Sequence, residues 1–543
     1  MEDTFKSEKF GRKSYAYQPN LWGDFFITHA VPIQKSNKWL KTRADDLKDE
    51  VRILIKSSAD TVEKMTLIDT IQHLGIGYLF EKEIDAVLTN LRALTFESNE
   101  LHEVALYFKL LRQHGFPISE DIFLKFQNED GSFKTTLSRD ARGLLSLYNA
   151  ASLQICDEDI LEKASFFAHD GLKHLVHDLK SPLRDQVSRA LHTPLPKMMK
   201  RLEARWYIDE YEEEETPNHV ILELAKLDFN IVQALHCEEL KAISLWWKNF
   251  NPKEKLGYAR DRIIESYFFI TGVYFEPQFS RARIILAKVV ALATILDDTY
   301  DVHATLEECR QLAHAVERWD KKSAEILDEY LKIVYLTLIN LCEEIENELE
   351  PSEKYRASYL IEGFKTLIRS YFQEAEWLAQ GYFPTFQERL DVSLISSAIP
   401  MLCCASFIGI GDVATKEAFL WVNQNPDMVR AASEVGRFID DVIGYEREHS
   451  MEELPSVLDC YMKEQNMTKD AAVIRFEEWT RDGWRRLNQA FLEPTAVSPV
   501  LIERIFNFIA MIHVMYIHMC NGFNEPTNVK KYISLLYVEP LCI

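Results

Sequence analysis

The sequence predicts an all-α protein built of two packed helical domains. Three observations predict it. Long apolar stretches recur at helical spacing through the 543 residues. Glycine and proline are scarce, at 18 each, which is too few turn-formers for a loop-rich all-β chain of this length. No sustained period-two alternation is flanked by hairpin signals, so no strand is expected.

Taken in order, residues 1–35 read as irregular, with Pro19, Pro32 and an aromatic cluster of Tyr15, Tyr17, Trp22, Phe25 and Phe26. Met1–Lys13 is polar and lacks the apolar core of a signal peptide, so a cytoplasmic location is expected. From about 36 to 225, helical patterns alternate with polar connectors. Asn128–Ser132 is a turn signal, and the acidic run Asp209–Glu215 reads as a solvated helix end. From 226 onward the helices lengthen and become more apolar, Ala282–Ile295 most clearly. No Pro/Gly/Ser linker marks the change. Domains of 1–225 and 226–543 are therefore expected to pack tightly rather than hang on a tether. Val392–Gly411 carries no charge and is about long enough to cross a bilayer. Pro400 and four serines make a kinked, buried core helix the better reading, so no membrane span is expected.

The chain has 62 basic and 85 acidic residues, a net charge of −23. No basic stripe rises above that background, which disfavours nucleic acid as a partner. An anionic small-molecule substrate stays compatible, because bound cations invert a local field. Nine cysteines without a CxxC pair suit free thiols in a reducing compartment.

Two acidic motifs carry the chemistry. Asp297, Asp298 and Asp301 close the apolar helix in the run Ile295-Leu296-Asp297-Asp298-Thr299-Tyr300-Asp301. In an α-helix Asp297 and Asp301 share a face. Clustered carboxylates raise one another's pKa unless a cation joins them. Downstream, Asp440, Gly444 and Glu448 are spaced i, i+4, i+8 and line one helical face over about 12 Å. Oxygen-only ligands select a hard cation such as Mg²⁺, held by one or two carboxylates plus water and phosphate oxygens. Either cluster alone also fits a solvated helix end. Two of them after apolar runs in one domain favour a diphosphate held by several Mg²⁺ ions. Arg260-Asp261-Arg262 belongs on a loop or helix entrance, since i and i+2 share no helix face. Its guanidiniums, with Arg437, suit bidentate phosphate binding; ordinary surface ion pairs are the competing reading. No HExxH, Walker A, GxSxG or Rossmann fingerprint is present.

These residues resemble the motifs of plant class I terpene synthases, and more narrowly of angiosperm sesquiterpene synthases. Arg12-Lys13, eight residues, then Trp22 looks like the family's arginine–tryptophan motif, with Lys13 where Arg or Pro is usual. Arg260-Asp261-Arg262 looks like its RxR motif, Asp297–Asp301 like its aspartate-rich motif, and Asp440–Glu448 like its second metal motif. Gly272-Val273-Tyr274-Phe275-Glu276-Pro277-Gln278 and Glu317-Arg318-Trp319 agree as well. The resemblance spans nearly the whole chain. It implies a vestigial N-terminal α-barrel with a capping strand and a C-terminal catalytic helical bundle. It also implies a monomer that uses three Mg²⁺ ions, with Mn²⁺ as a substitute, to ionise a prenyl diphosphate and cyclise the carbocation. The short stretch before Trp22 resembles cytosolic members that use farnesyl diphosphate. Metal ligands are then Asp297, Asp298, Asp301, Asp440, Gly444 and Glu448. Arg260 and Arg262 act catalytically, and Arg12, Arg260, Arg437, Asp297, Asp301, Phe269, Ser397 and Phe523 contact substrate. Ser396-Ser397-Ala398 resembles the family's helix break, whose freed carbonyls face the cation. No DxDD motif occurs in residues 1–225, so protonation-initiated chemistry is not expected.

The chain departs from the family pattern at several positions. Gly444 stands in place of the usual Ser/Thr, removing a hydroxyl ligand. Phe269 and Phe523 stand where tryptophan and tyrosine are common, which makes the cavity more apolar; neutral core packing is the other reading. Tyr516 is retained, but Asn521 replaces an aspartate linked with it in reprotonating a neutral cyclic intermediate. An amide cannot shuttle a proton as a carboxyl does. Rival functions are a cytosolic monoterpene or acyclic-alcohol synthase on geranyl diphosphate, a prenyl chain-elongating enzyme, and a catalytically silent prenyl-diphosphate-binding protein. The second needs two DDxxD motifs, and Asp440–Gly444 is not one. The intact carboxylates argue against the third.

Overall fold

The computed structural model describes residues 17–29, 37–58, 60–94, 96–450, 454–493, 495, 497–516 and 519–543; the side chains of residue 37 and residues 447–450 lie outside the description. Among the described residues the regular structure is helical. A single antiparallel bridge, Gln127 to Phe133, closes the turn expected at Asn128–Ser132. There the Asn128 N–H donates to the Ser132 carbonyl at 2.8 Å, and Gly131 takes a φ of +77° that glycine adopts without steric cost.

The described chain divides into two compact units. One comprises the described residues of 31–236, 485–494 and 532–543; the other comprises those of 1–30, 237–484 and 495–531. Residue 225, where the sequence suggests a domain boundary, lies inside the helix His219–Phe250.

In the first unit the helices Leu101–Gln113, Ala141–Ala151 and Asp159–Leu175 bury Phe108, Leu144, Leu147, Leu161 and Leu172 in one core. Asp140 starts the second of them by accepting the Gly143 N–H at 2.8 Å, which satisfies a donor that a helix start otherwise leaves open. A buried ionic network sits beside this core. Glu203 accepts from Arg189 at 2.9 and 3.1 Å and pairs with His73 at 2.8 Å; Arg189 also holds Glu210. Glu210 is therefore buried, unlike most of the acidic run around it, which is exposed as expected of a helix end. Burial alone raises the Glu203 carboxyl. The His73 hydrogen bond and charge, with the Arg189 guanidinium, outweigh that and hold it at about 2 against an ordinary 4.5. A depressed folded-state pKa gives stability that is present above pH 4.5 and lost as pH falls toward 2. Glu203→Gln leaves Arg189 and His73 partly unpaired, so we expect a loss of about 3–5 kcal/mol. Urea unfolding at pH 7, and flattening of the acid limb of the stability curve, measure it.

In the second unit, Ser280–Asp298 is mostly apolar and buries Ile285, Leu286, Val289, Leu292, Ile295 and Leu296, while its buried Arg283 and Lys288 pair with Glu239 and Glu344. Against it pack Ile263–Val273, Ile399–Ser406 and Glu329–Glu348, and the same unit also holds Tyr355–Gln380, Phe386–Ser396, Asp427–Ser450 and Pro499–Met515. Phe386–Ser396 opens on a capping box in which Thr385 and Glu388 satisfy each other's backbone N–H groups. It stops at Ser397, and Ala398 adopts a left-handed φ of +61°. Pro400 then sits in the first turn of Ile399–Ser406, where its missing N–H has no helical partner to lose. The uncharged Val392–Gly411 stretch is thus two core helices joined at a break. Among the described residues Phe386–Ser406 is the one stretch with the length and hydropathy to cross a membrane, and 61% of its apolar window is buried.

Candidate active site

A cavity of about 310 Å³ opens within the second unit, at the low end of the ~300–1,000 Å³ typical of small-molecule sites. Asp297, Asp301 and Asp440 line it together with Arg260, Arg389 and Arg437. Both acidic motifs therefore reach one chamber.

The first motif is not one continuous α-helix. The helix ends at Asp298, and Thr299–His303 forms a π-turn, closed by the Ala304 N–H on the Thr299 carbonyl at 2.8 Å. The Thr299 hydroxyl donates back to the Ile295 carbonyl at 2.6 Å and meets the Tyr258 hydroxyl at 2.8 Å, fixing the widened turn. Asp297 and the exposed Asp301 still line the cavity across it. Burial pushes Asp297 up to about 6; Arg260 pulls it down and the Asp298 charge pushes it up again.

Asp298 departs from its expected place among the metal ligands. It is 1% exposed and is not part of the cavity lining. Its carboxylate instead accepts the Tyr17 hydroxyl at 2.8 Å and the Arg260 backbone N–H at 2.7 Å, and pairs with Arg260 Nε at 2.9 Å. Arg260 occupies the loop before Ile263–Val273, as its spacing implies, and spreads over Asp297 at 2.6 Å and Asn524 at 2.9 Å. Arg262 faces away from the cavity. It is 2% exposed and donates to the backbone carbonyls of Phe523, Asp261 and Gln18 at 2.7, 2.9 and 2.5 Å. Two residues apart on an extended loop, the arginines take opposite sides, so only Arg260 faces the cavity.

The second motif lies on Asp427–Ser450. Asp440 pairs with Arg437 and accepts from the Tyr516 hydroxyl. Gly444 follows one turn later, half-buried; the Glu448 side chain and Arg12 lie outside the described residues. Asn521 donates to the Tyr516 hydroxyl at 2.9 Å and accepts the Phe523 N–H at 2.9 Å. Phe269, Phe508 and Phe523 supply aromatic wall, with the Phe269 ring 5.9 Å from Phe508 and 6.0 Å from Phe523. Ser396, Ser397, Ala398 and Ile399 bring the helix break to the same wall.

Sequence reasoning missed Tyr17, Tyr371, Glu374, Arg389 and Asn524. Tyr371, Glu374, Arg389 and Asn524 line the cavity; Glu374 pairs with Arg389 and accepts from Ser396 at 2.8 Å. No motif flags them: Tyr371 and Glu374 share the helix Tyr355–Gln380, but Tyr17, Arg389 and Asn524 come from other segments that meet only in the fold.

Four carboxylates, Asp297, Asp301, Glu374 and Asp440, spread around one cavity suit divalent cations that complete their shells with phosphate and water. Among the described residues no three acidic, histidine or cysteine side chains converge on one point.

Two family models match the chain: the terpene synthase N-terminal domain over residues 21–191, and the terpene synthase metal binding domain over 248–486. The chain belongs to the terpene synthase family. It is 42% identical to alpha-humulene synthase of Zingiber zerumbet, covering 99% of this chain and 98% of that protein. It is 41% identical to (+)-germacrene D synthase of Zingiber officinale, covering 97% and 96%. Among solved structures, limonene synthase with 2-fluorolinalyl diphosphate superposes with a TM-score of 0.91 at 31% identity, over 98% of this chain and 100% of that one. Isoprene synthase of grey poplar, in complex with three Mg²⁺ ions and dimethylallyl-S-thiolodiphosphate, gives 0.87 at 31% identity over 96% and 99%. The terpene synthase assignment thus rests on whole-chain similarity, and the acidic cavity falls within residues matched by the metal binding domain and the segments flanking it.

Proposed function

We propose that this terpene synthase ionises farnesyl diphosphate and cyclises or quenches the carbocation to a sesquiterpene or sesquiterpene alcohol, releasing diphosphate. The observation that carries the reading is one cavity in which carboxylates and guanidiniums share the lining with aromatic and aliphatic wall. The sesquiterpene products named for relatives about 40% identical support the fifteen-carbon substrate.

On this reading Asp297, Asp301 and Asp440, with Glu448, would hold Mg²⁺. Bound there, Mg²⁺ supplies positive charge to the leaving diphosphate. Arg260 and Arg437 add guanidinium hydrogen bonds to the same oxygens. Phe269 and Phe523 present π faces to the allylic cation and exclude water from it. The unit that holds the cavity, 237–484 with 495–531, serves as the catalytic domain of a monomeric cytoplasmic enzyme. Incubation with farnesyl and geranyl diphosphate in Mg²⁺, followed by gas chromatography–mass spectrometry, tests the reading. Fifteen-carbon products from the former at the higher kcat/KM support it. Dominant ten-carbon products would move it to the geranyl alternative, and no diphosphate release from either would end it.

Two variants probe the site further. Gly444 offers no hydroxyl where the second motif would use one. Gly444→Ser is expected to lower the Mg²⁺ concentration for half-maximal rate by about threefold, the gain of roughly one weak ligand contact; an unchanged Mg²⁺ titration counts against it. Gly436 lines the cavity, and a Cβ there would meet Ile399 Cδ1 at 2.5 Å and Ile512 Cδ1 at 2.9 Å. Both are the free ends of side chains on the cavity wall. Gly436→Ala should therefore reshape the cavity and alter product ratios, with little change in melting temperature.

A further inference from the structure

Glu265 is a buried acid that stands apart from both acidic motifs. It lies in the first turn of Ile263–Val273, is 1% exposed, and has no hydrogen-bond partner on either carboxylate oxygen. Among the described residues no other buried carboxyl has both oxygens unpartnered. Neither protonation state suits such a site: the ion lacks a counter-charge, and the acid lacks an acceptor for its O–H. A buried polar group in that condition calls for a physical reason. Three residues earlier, at the start of the same helix, Arg262 spends its guanidinium on neutral acceptors instead. It donates to the carbonyls of Phe523 at 2.7 Å, Gln18 at 2.5 Å and Asp261 at 2.9 Å. The loop around Phe523 supplies Asn521, Phe523 and Asn524 to the cavity wall, and Gln18 follows Tyr17, whose hydroxyl donates to Asp298. Arg262 is therefore a clasp between two segments at the cavity.

We propose that Glu265 is a positioning residue that works the clasp by its proton. Protonated, it leaves Arg262 on the Gln18 and Phe523 carbonyls; ionised, it draws the guanidinium inward and releases both segments. Side chains three apart at a helix start are neighbours, so Arg262 can reach it. A carboxylate also holds a guanidinium about twice as strongly as a neutral carbonyl does. Burial pushes the Glu265 carboxyl up to about 7, with Arg262 pulling it down and Asp261 pushing it up again. The ionised groups on the helices packed against Ile263–Val273 are engaged elsewhere. Arg283 is held by Glu239, Lys288 by Glu344, and Arg504 by Glu503 and Glu276. Asp297 and Asp298 hold Arg260, and His513 accepts from Trp484. Arg262 is thus the cation within reach of Glu265. The clasped state keeps the proton up to about 7, whereas a Glu265 paired with Arg262 gives it up at or below the ordinary 4.5. The clasp is therefore favoured at low pH and lost as pH rises through about 7.

Hydrogen–deuterium exchange of the full chain, corrected for the intrinsic pH dependence of amide exchange, tests this without substrate or metal. Protection of peptides covering 17–29 and 521–525 should fall about tenfold between about pH 6 and pH 8, the change that linkage gives for a proton released near 7. Peptides from Ser280–Asp298 in the same unit should hold their protection over that range. Glu265→Gln cannot ionise, so it should keep the protection of the lower pH throughout. A parent protein whose two segments show no pH-dependent loss overturns the proposal, and so does one that loses protection equally in Ser280–Asp298. A Glu265→Gln protein that still loses protection in both segments overturns it as well. Should Glu265→Gln fail to fold, Arg262→Gln carries the test. It removes the charge that Glu265 draws, so protection of the two segments should be low and should no longer change tenfold with pH. A change as large as the parent's in Arg262→Gln overturns the proposal.

Discussion

Asp440→Asn is expected to slow diphosphate release from farnesyl diphosphate by about 10²–10³-fold with the fold retained, the scale on which one group stabilising developing charge acts. The size follows from how much converges on this carboxylate. It lines the cavity, pairs with Arg437 and accepts the Tyr516 hydroxyl. Asparagine keeps the shape and one acceptor oxygen, so Tyr516 retains a partner and the helix Asp427–Ser450 has no reason to move. What is lost is the negative charge. A cation then binds with one carboxylate fewer, and Arg437 keeps its buried pair with Asp441. Single-turnover diphosphate release, beside a thermal melt, separates the two effects. A rate within threefold of the parent would mean that the second wall contributes little to ionisation, and the site reading would have to be rebuilt around Asp297 and Asp301.

The helical class, the kinked Val392–Gly411 segment and the two acidic motifs were legible in the sequence because each rests on local pattern. Helical periodicity, a proline in an apolar run and carboxylates at fixed spacing survive without knowing what lies opposite. Facing was less legible. Asp297 and Asp298 are neighbours in the chain, yet one lines the cavity and the other is buried on Arg260 and Tyr17. No one-dimensional rule separates them, because the distinction depends on which side of the helix the 260–262 loop packs against. The same holds for Arg260 and Arg262, where spacing places both on a loop but only the fold turns Arg262 onto the carbonyls of Gln18 and Phe523. The π-turn at Thr299–His303 was invisible for a related reason. It depends on a Thr299 hydroxyl held between Ile295 and Tyr258, and Tyr258 lies forty-one residues upstream. Glu374, Arg389 and Asn524 come from separate segments whose meeting is purely tertiary.

Asn521→Asp should redirect products rather than stop turnover, and the hydrogen bonds around it say why. Asn521 donates its amide N–H to the Tyr516 hydroxyl and accepts the Phe523 N–H on its oxygen. The donated N–H occupies the acceptor side of the Tyr516 oxygen and turns its proton toward Asp440. Tyr516 is thereby held as a donor to the Asp440 carboxylate. Aspartate at 521 can still accept the Phe523 N–H, so the 521–525 loop keeps its tie. It cannot donate to Tyr516 unless it is itself protonated, and with Asp440 close by, like-charge repulsion favours that proton. The variant would then have an acid, a phenol and a carboxylate in one chain of hydrogen bonds, which can carry a proton inward and be reloaded. We expect products that require reprotonation of a cyclic intermediate to rise about tenfold relative to those of early proton loss or water capture. That corresponds to about 1.4 kcal/mol between competing paths. Product profiles in H₂O and D₂O measure it directly, since a reprotonated skeleton gains deuterium and a skeleton formed by early loss does not. Unchanged ratios, or a new product without deuterium, would show that Asn521 shapes the wall without governing the proton.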